Sequence, residues 1–361
     1  MRREKVIEER LRSHRLSAPA QNVTDAARHM LAVQAQEFWG GRLALAARTK
    51  GDPTMREVDA AFDRGEIVRS WTMRGTIHAI PAADLGWVLG LTGERQIRQG
   101  AAVHRREGID DEVVVRAERI ARAALRGRDQ LTRKELFAAF DAGGVPTAGQ
   151  RSYHVLTRLS MNPVIVQGPV VPRDGAPTRE QYFVLVDEWI PDAAAPADPL
   201  AEFFVRFIAS HGPAGARDFA WWSGLPLGVA RAAESAAAAS DRLIVTDDGP
   251  EQTYVAAGPR PRRSPNAHEV VALPPFEEYY ISYADRTVSC SPEFLAAVGP
   301  GVNGMVRPVI LARGAIIGVW THSLAVGRHE DDPLPELFAP DAATHAEVVD
   351  ALARYRRFVT A

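Results

Sequence analysis

Apolar positions recur at helical spacing in three groups of three stretches, and each group is followed by two short runs of strand type. The first group predicts helices near 4–13, 22–33 and 54–64, then a hairpin made by Ile67–Met73 and Thr76–Ile80 around Arg74-Gly75. The second predicts helices near 111–126, 132–142 and 148–160, then strands near 164–166 and 182–185 across a Pro/Gly/Arg loop at 168–180. The third predicts helices near 199–210, 214–222 and 226–239, then strands near 242–246 and 253–256. Thr132 with Glu135 three residues on has the spelling of a capping box, and Asp198-Pro199-Leu200 is a second helix start. From about 268 the pattern is mixed, with a hairpin over Val306–Trp320 turning at Arg313-Gly314.

Three helices followed by a hairpin is the winged-helix order, whose third helix is the one that meets DNA. The fold class expected is mainly α with short β-hairpins (α+β), built from three tandem units. Their bounds are 1–108, 109–192 and 193–267, followed by a mixed strand and helix region at 268–361. The segment Asp192–Asp198, rich in Ala and Pro, reads as the linker between the second and third units.

Charge qualifies the DNA reading. The net charge is −2, so a nucleic-acid face has to be local. Forty of the 43 basic residues are arginine, and residues 95–134 hold eleven basic residues against six acids. Gly258-Pro259-Arg260-Pro261-Arg262-Arg263 is a second basic island, and the stretch Glu330–Asp350 is acidic. Solvated helices produce such segregation too. The single cysteine, Cys290, excludes an internal disulfide and fits a reducing compartment. The N-terminus carries no apolar signal segment, and no apolar run reaches bilayer length, so the expectation is a cytoplasmic protein with no membrane partner.

Several chemistries are excluded by spelling. Gly299-Pro300-Gly301-Val302-Asn303-Gly304 matches a dinucleotide fingerprint but leads into a strand, so it reads as a turn. His345-Ala346-Glu347 lacks the paired cysteines of a zinc deaminase, and the ten histidines include no His-x-x-x-His pair. No Gly-x-Ser-x-Gly elbow occurs. Neither a metal nor a cofactor is expected, which leaves carboxylates, amides and water. Gln34-Ala35-Gln36 stands out here. On a helix two such amides diverge, whereas in an extended or kinked segment they point the same way and could hold one water molecule. Gly40-Gly41 would allow the break, and two surface or capping glutamines are the plain alternative.

Five segments taken together carry a resemblance. They are Gln34-Ala35-Gln36, Arg69–His78, Arg217–Leu225, Leu273–Tyr279 with Tyr283–Arg286, and Gly318-Val319-Trp320. In this order they resemble the tandem winged-helix DNA glycosylases of the azinomycin-resistance and interstrand-crosslink type, over nearly the whole chain. The resemblance implies a concave, C-shaped protein around double-stranded DNA with the Gln-x-Gln motif facing the channel. One branch of that family has Asp at the third motif position; Gln36 puts this chain with the Gln-x-Gln branch, linked to self-resistance in antibiotic producers.

The implied reaction is hydrolysis of the N-glycosidic bond to a bulky N7-alkylguanine, with Gln34 and Gln36 accepting hydrogen bonds from the attacking water. Lys50 is the sole lysine near the motif, which favours direct hydrolysis by a monofunctional, monomeric enzyme over a Schiff-base lyase. Arg69, Arg74 and His78 on the first wing are candidate phosphate contacts, with a buried ion pair as the alternative for Arg74. Arg173 and Arg179 in the second wing are either phosphate contacts or solvent-loop residues. Arg313 at its hairpin tip is either a groove probe or an ordinary surface turn. Trp71, Trp221 and Trp222 are expected in the core. Asp285 and Arg286 are candidate site or supporting residues, Asp285 as a hidden carboxylate. A winged-helix transcription regulator and a protein that sequesters the toxic small molecule are the rival readings; neither releases a base.

Overall fold

The computed structural model describes residues 1–247, 251–259, 261–265 and 267–360. Arg260 of the basic island lies outside the described residues. The chain forms two compact units, one of residues 59–172 and 178–199, the other of residues 1–58, 173–177 and 200–361. Small antiparallel sheets accompany many helices, the mixed helix and strand class that the patterning predicts.

In the unit that begins at Asp59, helices Asp111–Leu125, Arg133–Ala142 and Arg151–Met161 pack on a sheet. The Asp110 carboxylate accepts the Val113 N–H at 2.9 Å, and Thr132 and Glu135 close the predicted capping box. Val114, Ala117, Ala121 and Leu125 fall on one helical stripe and are buried against Trp71, Phe140, Leu156 and Phe183. The strands of this unit run antiparallel in the order Thr76–Pro81, Ile67–Met73, Ile165–Val170, Gln181–Leu185. Helices Leu85–Gln99, which holds three glycines, and Ala101–Arg106 fall outside the predicted stretches. One of those glycines has a reason. A Cβ on Gly93 would lie 3.0 Å from the Met161 carbonyl oxygen, so the helix needs a bare backbone there.

The other unit repeats the same motif with helices Pro199–His211, Ala216–Ser223 and Leu227–Ala238 and the hairpin of Leu243–Asp247 with Thr253–Ala256. In both units a residue between the first two helices bridges to the second hairpin strand: Leu131 pairs with Phe183, and Ala214 with Tyr254. A second sheet has the antiparallel order Leu334–Leu337, Ala315–Thr321, Val309–Ala312, Val270–Leu273, and helix His345–Thr360 packs on its last strand. Arg313 and Gly314, at φ 50° and 87°, form the two-residue turn that suits a hairpin. That tip is docked. A Cβ on Gly314 would come within 2.3 Å of an Ile7 methyl, and the Tyr279 hydroxyl donates to the Gly314 carbonyl at 3.1 Å.

Candidate functional site

The Gln-x-Gln motif sits where the chain leaves helix Val23–Met30. Asn22 caps that helix, accepting the Asp25 N–H at 2.8 Å. The helix stops at Met30, earlier than the apolar run to Val33 predicts, because Leu31 adopts φ 63°, ψ −52°. Ala32 N–H donates to the Met30 carbonyl at 2.8 Å, so Leu31 is the centre of a γ-turn of the strained hand. For a buried, branched residue this costs about 1–3 kcal/mol, and such strain gathers at functional sites. Val33 and Gln34 are then extended, Ala35 is buried, and Gln36 is exposed at the bend into helix Phe38–Ala46. Gln34 itself is 7 % exposed.

Gly40-Gly41 does not break the chain, as the sequence reading supposed; both glycines lie inside helix Phe38–Ala46. Their role is close approach. A Cβ on Gly41 would stand 2.5 Å from the Ala35 Cβ, and one on Gly40 would stand 3.3 Å from the Pro275 ring. The helix thus presses on the residue between the two glutamines from one side and on Pro274-Pro275 from the other.

Beyond Pro275 lie two carboxylates in an apolar segment. Phe276 has φ 57°, and Glu277 and Glu278 follow, 1 % and 0 % exposed. Glu278 Oε1 accepts the Gln34 main-chain N–H at 2.6 Å. Its Oε2 accepts from Trp222 Nε1 at 3.2 Å and from the Ser282 hydroxyl, and lies 3.7 Å from His211 Nε2. Glu277 is gripped by both terminal nitrogens of Arg48, whose Nη1 also donates to the Ala44 carbonyl at 2.9 Å. Neither acid is among the sequence candidates, which instead include Asp285 as a hidden carboxylate. Asp285 is not hidden: it is exposed and accepts from the Thr287 N–H and hydroxyl at 2.8 and 2.7 Å, bonds that hold its carboxyl below the usual range.

Around the carboxylates the protons can be traced. The Tyr283 hydroxyl donates to the His211 carbonyl at 2.7 Å, so its oxygen accepts from His14 Nε2 at 2.7 Å. His14 Nδ1 is then the bare acceptor for Arg48 at 3.4 Å. Burial first, then the positive charges of His211, Arg48 and Arg10, holds His14 well below the ordinary imidazole range. Burial and Arg15 push His29 down to about 3. Unfolded histidine takes a proton near pH 6.5, so these two groups give stability that is present above that pH and lost as pH falls toward their folded values. Each is expected to remove about 1.4 kcal/mol per pH unit below 6.5. Melting temperature should therefore be level above neutrality and fall between pH 6.5 and 5. A flat thermal-melt profile down to pH 5 would refute the neutral assignment.

The remaining sequence candidates fall in different places. Arg69 is buried and donates to Gln167 Oε1 at 2.7 Å; His78 is buried and meets the Thr72 hydroxyl at 2.9 Å. Neither presents its side chain to solvent. Arg74 is partly exposed at the first hairpin's turn, with φ 54°. Arg173 and Arg179 are exposed, Arg173 donating to the Pro177 carbonyl at 3.3 Å. Arg313 turns back onto acids, meeting Glu347 at 2.7 Å and Glu269 at 3.8 Å. Trp71 and Trp222 are core residues as expected, but Trp221 is 47 % exposed, with the Arg286 guanidinium 5.2 Å above its ring. Within the basic stretch, Arg98 pairs with Glu94 and Arg122 with Glu118 and Asp187, so part of that charge is locally neutralised. Among the described residues no group of three or more His, Cys, Asp or Glu side chains is placed to hold a metal ion, and no helix is long and apolar enough to cross a membrane.

The family model described as DNA glycosylase AlkZ-like matches residues 27–358. The solved structure of Streptomyces sahachiroi DNA glycosylase AlkZ superposes with a TM-score of 0.75 at 20 % identity, covering 98 % of this chain and 96 % of that one. No curated protein matches the chain.

Proposed function

This chain belongs to the AlkZ-like DNA glycosylase family, and from that premise we propose that it hydrolyses the N-glycosidic bond of bulky N7-alkylguanines in duplex DNA, interstrand crosslinks among them. Alkylation at N7 gives the purine a positive charge, which makes it a good leaving group without a strong acid. Water's oxygen bonds to C1′ while the C1′–N9 bond breaks, its electron pair neutralising the purine; the spare proton passes to solvent. The task left to the protein is placing water against an oxocarbenium-like sugar. Gln34 and Gln36 do this through their amide oxygens.

The observation that carries the reading is the form of the motif: an extended Gln34 joined through buried Ala35 to an exposed Gln36, entered through a strained turn and pressed at Ala35 by the helical Gly41. Such rigidity suits residues that must aim a solvent molecule. The winged-helix assignment draws support from the doubled sequence of helix, bridge, helix, helix and hairpin. In this reading units 1–108, 109–192 and 193–267 each offer a wing or third helix to phosphate, and 268–361 supplies the carboxylates behind the motif. The enzyme is a monofunctional monomer, and its biological use is protection against a DNA-alkylating natural product.

The test is release of the base. Purified protein incubated with duplex DNA carrying a defined N7-alkylguanine should generate abasic sites, scored by alkaline strand cleavage. Tight DNA binding with no release from small or bulky adducts would transfer the assignment to a regulator.

A further inference from the structure

One hydrogen bond joins two strained segments. Leu31, at φ 63°, lies three residues before Gln34; Phe276, at φ 57°, lies two before Glu278. Both side chains are buried, both backbones sit where branched or bulky residues are rarely found, and between them Glu278 Oε1 accepts the Gln34 N–H at 2.6 Å. A carboxylate with no solvent access is a costly way to hold the Gln34 amide, the Trp222 Nε1–H and the Ser282 hydroxyl. A neutral acceptor would do it more cheaply, were rigidity of no consequence. The other oxygen is oriented in turn by Trp222 Nε1 and the Ser282 hydroxyl, so the carboxylate cannot swing away from Gln34. Gly41 brings helix Phe38–Ala46 against Ala35, the next residue of the motif.

We propose that Glu278 is a positioning residue: by fixing the main chain at Gln34 it sets the direction in which the Gln34 and Gln36 amides point. This rests on the reading of those amides as the water-holding groups. Glu278 is buried behind the motif and acts through the Gln34 backbone. A misplacement of about 1 Å at a reacting centre can cost on the order of 100-fold in rate, and that is the loss expected when the tether is cut.

The experiment compares wild type, Glu278→Ala and Glu278→Gln in single-turnover release of an N7-alkylguanine from duplex DNA, with Kd for intact adduct DNA and melting temperature measured alongside. Glutamine can keep its oxygen on the Gln34 N–H while dropping the charge, its NH2 group then donating to the Ser282 hydroxyl and leaving Trp222 Nε1–H without that acceptor. Glu278→Ala should release the base about 100-fold more slowly, with Kd changed less than about threefold. Glu278→Gln should recover to within about tenfold of wild type. A folded Glu278→Ala protein that works at the wild-type rate overturns the proposal. So does Glu278→Gln being as slow as alanine, since the charge and not the tether would then matter. Should alanine prevent folding, the Gln34 amide resonance in selectively labelled protein decides. It should lie far downfield in wild type, as a short bond to a carboxylate requires, and move upfield in Glu278→Gln; an unshifted resonance overturns the assignment. Wild type failing to release any base would sink the functional reading instead, and the amide resonance would still report on the tether.

Discussion

Alanine in place of Gln36 is expected to slow release of an alkylated guanine by about 100-fold, with DNA affinity and melting temperature close to wild type. The separation of activity from stability follows from exposure. Gln36 lies at a solvent-facing bend, where truncation changes folding by no more than about 0.5 kcal/mol. Gln34→Ala is a different case, because Gln34 is 7 % exposed and its loss leaves a small void. That substitution keeps the main-chain N–H, so the bond to Glu278 survives and any fall in rate reports the side chain alone. The double variant should be no slower than the worse single variant by more than a fewfold if both amides hold one water, since groups acting as a unit are not additive. Single-turnover release measured beside thermal melts checks all three. Full-rate excision by Gln36→Ala would remove that amide from the mechanism.

The helices and hairpins could be read from the sequence where burial repeats at a fixed period. Val114, Ala117, Ala121 and Leu125 mark a helix face unaided, and Thr132 with Glu135 marks where the next helix begins. The motif was legible as a spelling, and its extended form was one of two options left open. What decided between them was Leu31, an ordinary apolar residue whose left-handed backbone no pattern announces. Gly40-Gly41 misled because glycine serves equally as a break and as a close contact. Here the deciding neighbours are Ala35 and the distant Pro274-Pro275. The carboxylates show the same limit. Asp285 and Glu278 are both carboxylates, yet one caps an exposed turn and the other is fully desolvated. That difference comes from Trp222, Ser282 and the Gln34 backbone, partners supplied by other parts of the fold. A usable signal did exist: two adjacent acids inside Leu273–Ile281, a run otherwise apolar or aromatic, seldom occur unless both are paired.

Replacing Arg48 with methionine is expected to destabilise the protein by about 3–5 kcal/mol. Arg48 and Glu277 are 0 % and 1 % exposed, and two guanidinium nitrogens meet the two carboxylate oxygens. Removing the arginine strands a negative charge where water cannot reach it, and Tyr279 N–H at 3.0 Å is a single donor against that deficit. The exposed Arg98–Glu94 pair makes the contrast, since breaking it should cost no more than about 0.5 kcal/mol. Glu277→Gln in the Arg48→Met background removes the stranded charge and should restore much of the lost stability, so the two substitutions will couple strongly in a double-mutant cycle. Urea unfolding of the four proteins measures this directly. Arg48→Met within about 1 kcal/mol of wild type would mean that the pair is solvated or neutral. The consequence reaches the motif, because Glu277 is covalently next to Glu278: a carboxylate driven toward water at one position drags the other from the Gln34 N–H. Arg48→Met protein that remains folded at low temperature should therefore also release base slowly, whereas Arg98→Ala should not.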